Sequence, residues 1–459
     1  MKLFAFLVGI LCISLCSLSA RAQEGFDVKK LDALFDALEA KNRMMGSVTL
    51  TKDGKVIYRR VLGYRTISDK EKVKSDTKTI YRIGSITKVY TAVMIWQLIE
   101  EKKLTLDTKL SEYFPNIPNA NEITIGNLLS HTSGLQDYTN GIIYDDPKSW
   151  IFRPQTSAEL LPRIALLKPD FPPGSQSRYS NTNYTLLGYV IEKITGSTYG
   201  KQLDKRIVQK LGLKRIRYDG KINPLNNEAD SFVYGDGKWT KNYEQELSVA
   251  GGAGGIVATT DEVAKFINAL GENKLISKNS FEQMTGPFSE KFPDSHNGIA
   301  LFTLRGIGKK AISKQGGIDA ATSNVVYVPE DKFALALAIN GNNYPMSKIF
   351  WYVMDIYYNR PVELPSFNRI AADPASLAKF EGVFELRGSG IKISVKRRGS
   401  GLVAQATGQD EFLLEPIGES TFADDQSGII FEFGKDAVGS IVNFSLFQGR
   451  NASRWEKER

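Results

Sequence analysis

Arg82-Ile83-Gly84-Ser85-Ile86-Thr87-Lys88 runs directly into a stretch in which Val89, Ala92, Val93, Trp96, Leu98 and Ile99 are apolar. That spacing predicts a helix from Ile86 to about Lys102 with one face buried against a core. Ser85 then stands at the helix start, and Lys88, three residues on, falls on the same side of the first turn. A serine hydroxyl is a weak nucleophile at its own pKa. It needs a nearby base, and a lysine kept partly neutral by burial and a second cation supplies one. The amides at the helix start are also placed to hold an oxyanion. The plainer reading of Ser85 is a helix cap. Ser75-Asp76-Thr77-Lys78 repeats the Ser-x-x-Lys pattern, but it lies among Lys72, Lys74 and other polar residues and opens no amphipathic helix.

Upstream, Ser47 to Lys52 and Lys55 to Tyr58 flank Asp53-Gly54, the pattern of two strands joined by a tight turn. The folded chain is therefore expected to open with antiparallel sheet. Downstream, about 105 to 250 mixes short helical patterns with Pro and Gly breaks and reads as a mainly helical subdomain, with its clearest helix at Asn183 to Ile194. A helix over Asp261 to Leu270 and strand-like runs at Ser323 to Val328 and Phe333 to Ile339 bring the sheet back late. Arg360-Pro361 and Leu364-Pro365 then mark a boundary. Beyond it, Ile391 to Val395, Leu402 to Ala406 and Ile429 to Phe433 alternate as strands do, so residues 370–459 are expected to form a small all-β unit.

A chain of 459 residues exceeds one ordinary core, and its 42% hydrophobic and 24% charged residues suit a globular protein. Residues 1–22 read as an export signal: Lys2, an apolar run from Leu3 to about Leu18, then Ala20-Arg21-Ala22 at the cleavage positions. The run falls short of the roughly 20 residues that span a bilayer, so no stable membrane insertion is expected after cleavage, and the mature chain is expected in the periplasm or outside the cell. Residues 23–362 and 370–459 remain as the two folded units. Both cysteines, Cys12 and Cys16, lie in the leader, which excludes disulfides and a thiol nucleophile from the mature chain. Losing Lys2 and Arg21 takes the net charge from +8 to +6. The basic residues are scattered among acids, which argues against a nucleic-acid partner. A monomer acting on a small molecule or peptide is expected.

A second chemical element is Tyr179-Ser180-Asn181, preceded by Phe171-Pro172-Pro173-Gly174. A tyrosine beside a lysine can serve as acid or base. Tyr138-Thr139-Asn140 has the same form. Gly84 to Lys88, Lys103-Leu104-Thr105-Leu106-Asp107, the block Ile123 to Leu135 containing His131-Thr132-Ser133-Gly134-Leu135, Pro173-Gly174 before Tyr179, and Gly254-Gly255-Ile256-Val257-Ala258-Thr259-Thr260-Asp261 occur in one order. With the closing Gly316 to Asn340 stretch, residues from about 30 to 350 resemble the β-lactamase-related serine hydrolases. That group includes class C β-lactamases, D-alanyl-D-alanine carboxypeptidases and related esterases and peptidases.

The resemblance implies an α/β (α+β) fold with an antiparallel sheet flanked by helices and a helical subdomain, and it implies acyl transfer to water without a cofactor. Ser85 would attack a carbonyl while Lys88 and Tyr179 relay its proton. Asn181 would orient the substrate and Lys88, and the amides of Ser85 and Ile318 would hold the oxyanion. Tyr138 lies where the family does not place its tyrosine. The family expects Lys-Thr-Gly or His-x-Gly on the last motif strand, where Gln315-Gly316-Gly317 stands. Gln carries no charge, and the adjacent Lys314 is expected to face the other way. On that reading the substrate is a neutral ester or amide, or activity is reduced. A D-alanyl-D-alanine carboxypeptidase or β-lactamase, and a non-catalytic binding protein on the same fold, are the rival readings. With two histidines in the chain, a histidine triad and a zinc site both lack residues, and His131 reads as structural. The tail resembles the small β domains appended to some family members, where it stabilises, spaces or selects substrate.

Overall fold

The computed structural model describes residues 25–458, apart from 143–145, 147, 219, 366, 426, 449 and 450. The expected leader lies outside the described residues. Among those described, no helix is long and apolar enough to cross a membrane.

The described chain opens on a helix, α1 (Val28–Ala40), and not on the sheet that the hairpin pattern suggested. Leu31, Leu34, Phe35 and Leu38 recur three and four apart and are fully buried, so one apolar stripe seats this helix on the sheet. Strands β1 (Met44–Lys52) and β2 (Lys55–Leu62) follow. Asp53 and Gly54 join them with φ of 50° and 72°, the left-handed backbone that a tight two-residue hairpin requires.

The chain then leaves the sheet for α2 (Thr87–Glu100) and a largely helical region that includes α3 (Asn181–Thr195), α4 (Leu247–Gly254) and α5 (Thr260–Gly271). It returns as β3 (Ala300–Thr303), β4 (Lys310–Ile318), β5 (Ala321–Val328) and β6 (Phe333–Asn342), and closes with α6 (Met346–Tyr357). The antiparallel sheet runs β3-β4-β5-β6-β1-β2.

Strand β6 shows why the two faces take different helices. Phe333, Leu335, Leu337 and Ile339 pack with α1 and α6, while Ala334 and Ala336 join the core around α2 and α5. Small residues on that second face let the helices approach closely. Helix α2 is buried all round from Thr87 to Leu98, not along one stripe as its pattern suggested. It is wedged between the sheet and the helical region, and two of its polar side chains bond to backbone carbonyls far away in sequence. Thr91 donates to the Gly252 carbonyl at 2.6 Å, and the Trp96 indole donates to Asn297 O at 3.0 Å.

Beyond α6, strands from Gly382–Leu386 to Asn451–Lys457 form a closed eight-stranded antiparallel barrel, with the first strand paired to the last. Aromatics fill it: Phe431 stacks on Phe444 at 4.2 Å, and Phe384 and Trp455 also contact Phe444. The barrel docks on the α1 and α6 side of the sheet. Its Asp425 pairs with Arg43, which follows α1, and with Arg369 from the linker. A Cβ on Gly428 would strike Pro345 and Lys348 at the start of α6, so the contact there is close.

Phe444 is fully buried at the centre of the aromatic cluster. Phe444→Ala is expected to destabilise the barrel by about 3–5 kcal/mol, read as a shifted midpoint in urea denaturation followed by tryptophan fluorescence.

Candidate active site

Ser85 is carried by a single 3-10 turn, Gly84–Ile86, that runs into α2. This turn is pressed against the end of β4. Gly84 has φ of 48°, and a Cβ there would fall 2.8 Å from the Gly317 backbone. A Cβ on Gly316 would fall 2.2 Å from Ile83 O and 3.0 Å from Ser85 N. Two glycines in contact thus bring a nucleophile-bearing turn and a strand edge closer than any side chain would permit.

Lys88, on the first turn of α2, is completely buried. Its Nζ meets Ser85 Oγ at 3.1 Å, Asn181 Oδ1 at 2.8 Å and the carbonyl of Ala253, on α4, at 2.9 Å. The last two oxygens only accept. As an ammonium Lys88 donates to all three oxygens; as a neutral amine it can keep the Asn181 and Ala253 bonds and offer its lone pair to the Ser85 hydroxyl. Burial drives the Lys88 pKa well below the usual lysine value, the charge on Lys314 pushes the same way, and Asp137 opposes them.

Tyr179 precedes α3 and reaches over the serine, with Oη 2.7 Å from Ser85 Oγ and 3.4 Å from Asn181 Oδ1. Its ring lies 4.6 Å from His131, and the ammonium of Lys314 lies 5.4 Å from the ring centre. Although 46% of the residue is solvent-exposed, its hydroxyl is enclosed by these contacts. Desolvation pushes its pKa up to about 12, against the lowering effect of the Ser85 hydrogen bond. Tyr179 is therefore protonated at neutral pH. His131 is held neutral by burial, and the neighbouring Lys314 charge pushes the same way. Its Nδ1 accepts from Ser180 N at 3.3 Å and contacts Asn183 Nδ2 at 3.2 Å. It braces the tyrosine segment and does not touch Ser85.

The third motif differs from expectation in register. On β4, Lys314, Gly316 and Ile318 share the face toward Ser85, while Gln315 is exposed on the opposite face. The site therefore has its cation. Lys314 sits over Tyr179, and burial lowers its pKa to about 8. The segment reads as Lys314-Gln315-Gly316, which satisfies Lys-x-Gly one residue earlier than the expected alignment. The amide of Ile318, expected to help hold an oxyanion, is affected by the same register. Asp319 and Ala320 form a two-residue turn between Ile318 and Ala321, and the residues flanking such a turn bond to each other. The Ile318 amide is thus committed to β5. Gly317, one residue back, turns its N–H to the other edge, which β3 leaves uncovered beyond Ser313 and against which Gly84 lies.

A cleft of about 340 Å³ opens at Ser85, lined by Asn181, Thr139, Gln245, Gly317, Ile318 and Thr322 among others. Among the described residues, none of the barrel is in its lining. The cleft wall is stiffened by a buried ion pair in which Arg82 donates to Asp319. Asp319 also accepts from Gln245 N at 3.0 Å. Of the alternative motif residues, Tyr138 lines the cleft but turns its hydroxyl elsewhere. Tyr138 donates to the Val249 carbonyl, Lys78 is exposed on a loop, and the ring Nδ1 of His296 meets only its neighbour Asp294 O. Among the described residues no group of His, Cys, Asp and Glu could hold a metal ion.

Sequence reasoning missed Asp137, the Arg82–Asp319 pair and the Ala253 carbonyl. Asp137 had a signal, an acid two residues past Leu135 and directly before Tyr138. The Ala253 carbonyl had none, because it is backbone.

A serine at the start of a buried helix, against an uncovered stretch of strand in a helix-flanked antiparallel sheet, defines the β-lactamase/transpeptidase-like fold. The family model described as Beta-lactamase matches residues 31–355, and the chain belongs to that family, whose members are generally serine hydrolases. Penicillin-binding protein 4* of Bacillus subtilis is 26% identical over 436 residues, 90% of this chain and 96% of that protein. Teichoic acid D-alanine hydrolase of Staphylococcus aureus is 26% identical over 304 residues, 65% of this chain and 71% of that protein. The octameric penicillin-binding protein homologue from Pyrococcus abyssi superposes with a TM-score of 0.66 at 24% identity, over 94% of this chain and 99% of that one.

The glycine contact is directly testable. Gly316→Ala must part β4 from the Ser85 turn and is expected to cost about 1–3 kcal/mol of stability, measured as a lowered midpoint in chemical denaturation.

Proposed function

We propose that this chain is an exported serine hydrolase that forms an acyl-enzyme at Ser85 on an ester or amide substrate. The observation that carries the reading is the Lys88 amine, fully buried, lowered in pKa and 3.1 Å from the Ser85 hydroxyl. In acylation the Ser85 proton passes to Lys88 Nζ as Oγ bonds to the carbonyl carbon. The carbonyl π pair moves onto oxygen, where the Ser85 and Gly317 amides receive it. Tyr179, protonated and 2.7 Å from Oγ, donates to the leaving group and recovers a proton from the Lys88 ammonium. Water then attacks the acyl carbon, its proton leaves by the same residues, and Ser85 is restored.

Lys314 removes the reason for confining the substrate to neutral groups. A cation beside Tyr179 accommodates a carboxylate near the scissile bond, and this favours, as a second reading, a D-alanyl-D-alanine carboxypeptidase or β-lactamase. It also weakens the case for a non-catalytic binding protein, which rested on Gln315. The similarity to teichoic acid D-alanine hydrolase makes D-alanyl esters a substrate class to test alongside D-amino-acid peptides and β-lactams.

A fluorophosphonate is expected to label the purified chain at Ser85, seen by peptide mass spectrometry, with no labelling of Ser85→Ala. Absence of labelling in the wild type would sink the acyl-enzyme reading. Penicillin labelling at Ser85 followed by release within minutes identifies the second reading. Lys88→Met is expected to slow phosphonate labelling by about 10²–10⁴-fold.

Since Lys88 acts unprotonated, the rate rises with pH through the depressed Lys88 pKa. Lys314 contributes to that depression. Lys314→Met is therefore expected to move the acid limb of the rate profile to higher pH and to raise KM for carboxylate-bearing substrates.

A further inference from the structure

We infer that Asp137 is a positioning residue of this site, which fixes the amide of Asn181 toward Lys88 and acts as the counter-ion of the ammonium that Lys88 becomes when Ser85 is acylated. This rests on the acyl-enzyme reading above.

An Asn side chain can present either its oxygen or its nitrogen, and Lys88 requires the oxygen. Asp137 decides which. Its Oδ2 accepts from both the backbone N and the Nδ2 of Asn181, each at 2.9 Å. A carboxylate cannot donate, so the Asn181 amide nitrogen is drawn to Asp137 and the oxygen is left facing Lys88 Nζ at 2.8 Å. Asp137 is itself anchored through Oδ1, which accepts from Thr139 N at 3.0 Å and Thr139 Oγ1 at 2.7 Å. Four donors therefore hold one carboxylate in place, and its charge reaches Lys88 across a single amide.

The electrostatic surroundings of Lys88 leave this role to Asp137. Strand β4 brings the positive Lys314. The loop after the short helix Ile125–Leu129 brings His131, kept neutral, and Asp137. The segment at the start of α3 brings the protonated Tyr179 and the ring of Tyr184 at 5.7 Å. Helix α4 offers the Ala253 carbonyl. Of the groups acting on Lys88 by charge, Lys314 disfavours the ammonium and Asp137 favours it. Acylation turns Lys88 from amine to ammonium inside a dry pocket, where an opposed charge is needed at that moment.

The test is the pH dependence of fluorophosphonate inactivation in the full chain. Asp137→Asn removes the charge that raises the Lys88 pKa, so the acid limb is expected to move to lower pH. The plateau is expected to fall roughly 10- to 100-fold, the scale of a lost hydrogen bond to a charged group. Lys314→Met moves the limb the opposite way, and the double variant should return it toward the wild-type position. Asp137→Glu keeps the charge but displaces it, so its limb should stay at the wild-type pH while its plateau falls. An Asp137→Asn limb at the wild-type pH, with or without a lowered plateau, overturns the inference, and so does an Asp137→Glu limb shifted like that of Asn. If the wild type is not labelled at all, the acyl-enzyme reading is what fails.

Discussion

Everything at this site depends on one amine kept out of water. Water would protonate Lys88 and surround it with acceptors, whereas the folded chain offers two acceptor-only oxygens and one hydroxyl. Burial favours the neutral amine, whose lone pair can then receive the Ser85 proton. The cost of such burial is met by the rest of the fold. Helix α2 is enclosed on all sides, α4 lends a carbonyl, and α3 lends an asparagine whose own orientation is set from behind. The site is thus where three helices and a strand edge converge, and its geometry belongs to none of them alone.

The sheet supplies the other half of the constraint. Alternation along β6 gives large side chains to the α1 and α6 face and small ones to the α2 face, so the serine helix can lie close against the strands. Gly84 and Gly316 carry this approach to its limit at the turn bearing Ser85. The same period of two settles the charge at the cleft. Lys314, Gly316 and Ile318 face inward together, and the outward Gln315 takes no part.

Much of this was legible in the sequence. The Ser85, Lys88, Tyr179 and Asn181 side chains, chosen from two recurring local patterns, do meet, because helical spacing links the first two and the chain's order of motifs brings in the others. The hairpin at Asp53-Gly54 was plain from its turn chemistry. The misreading on β4 came from choosing the triplet by its glycines, whereas the face of a strand is decided by which residues the neighbouring turn can touch. Helix α1 went unread because nothing local announces a short amphipathic helix so clearly as the Asp-Gly turn that follows it. Asp137 and Asp319 act by holding other residues, and such roles are set by contacts between segments far apart in sequence. In the tail, three of the eight strands stood out; the others are short, and only closure of the ring gives them partners.

That closure has an architectural consequence. The barrel's opening strand hydrogen-bonds to its final one, so the points where the polypeptide enters and leaves the ring are neighbours. Closure leaves the barrel no unpaired strand edge for the rest of the chain to cover. The two units can therefore diverge at separate rates, the tail's exterior answering to its surroundings while the cleft on the far side of the sheet answers to chemistry.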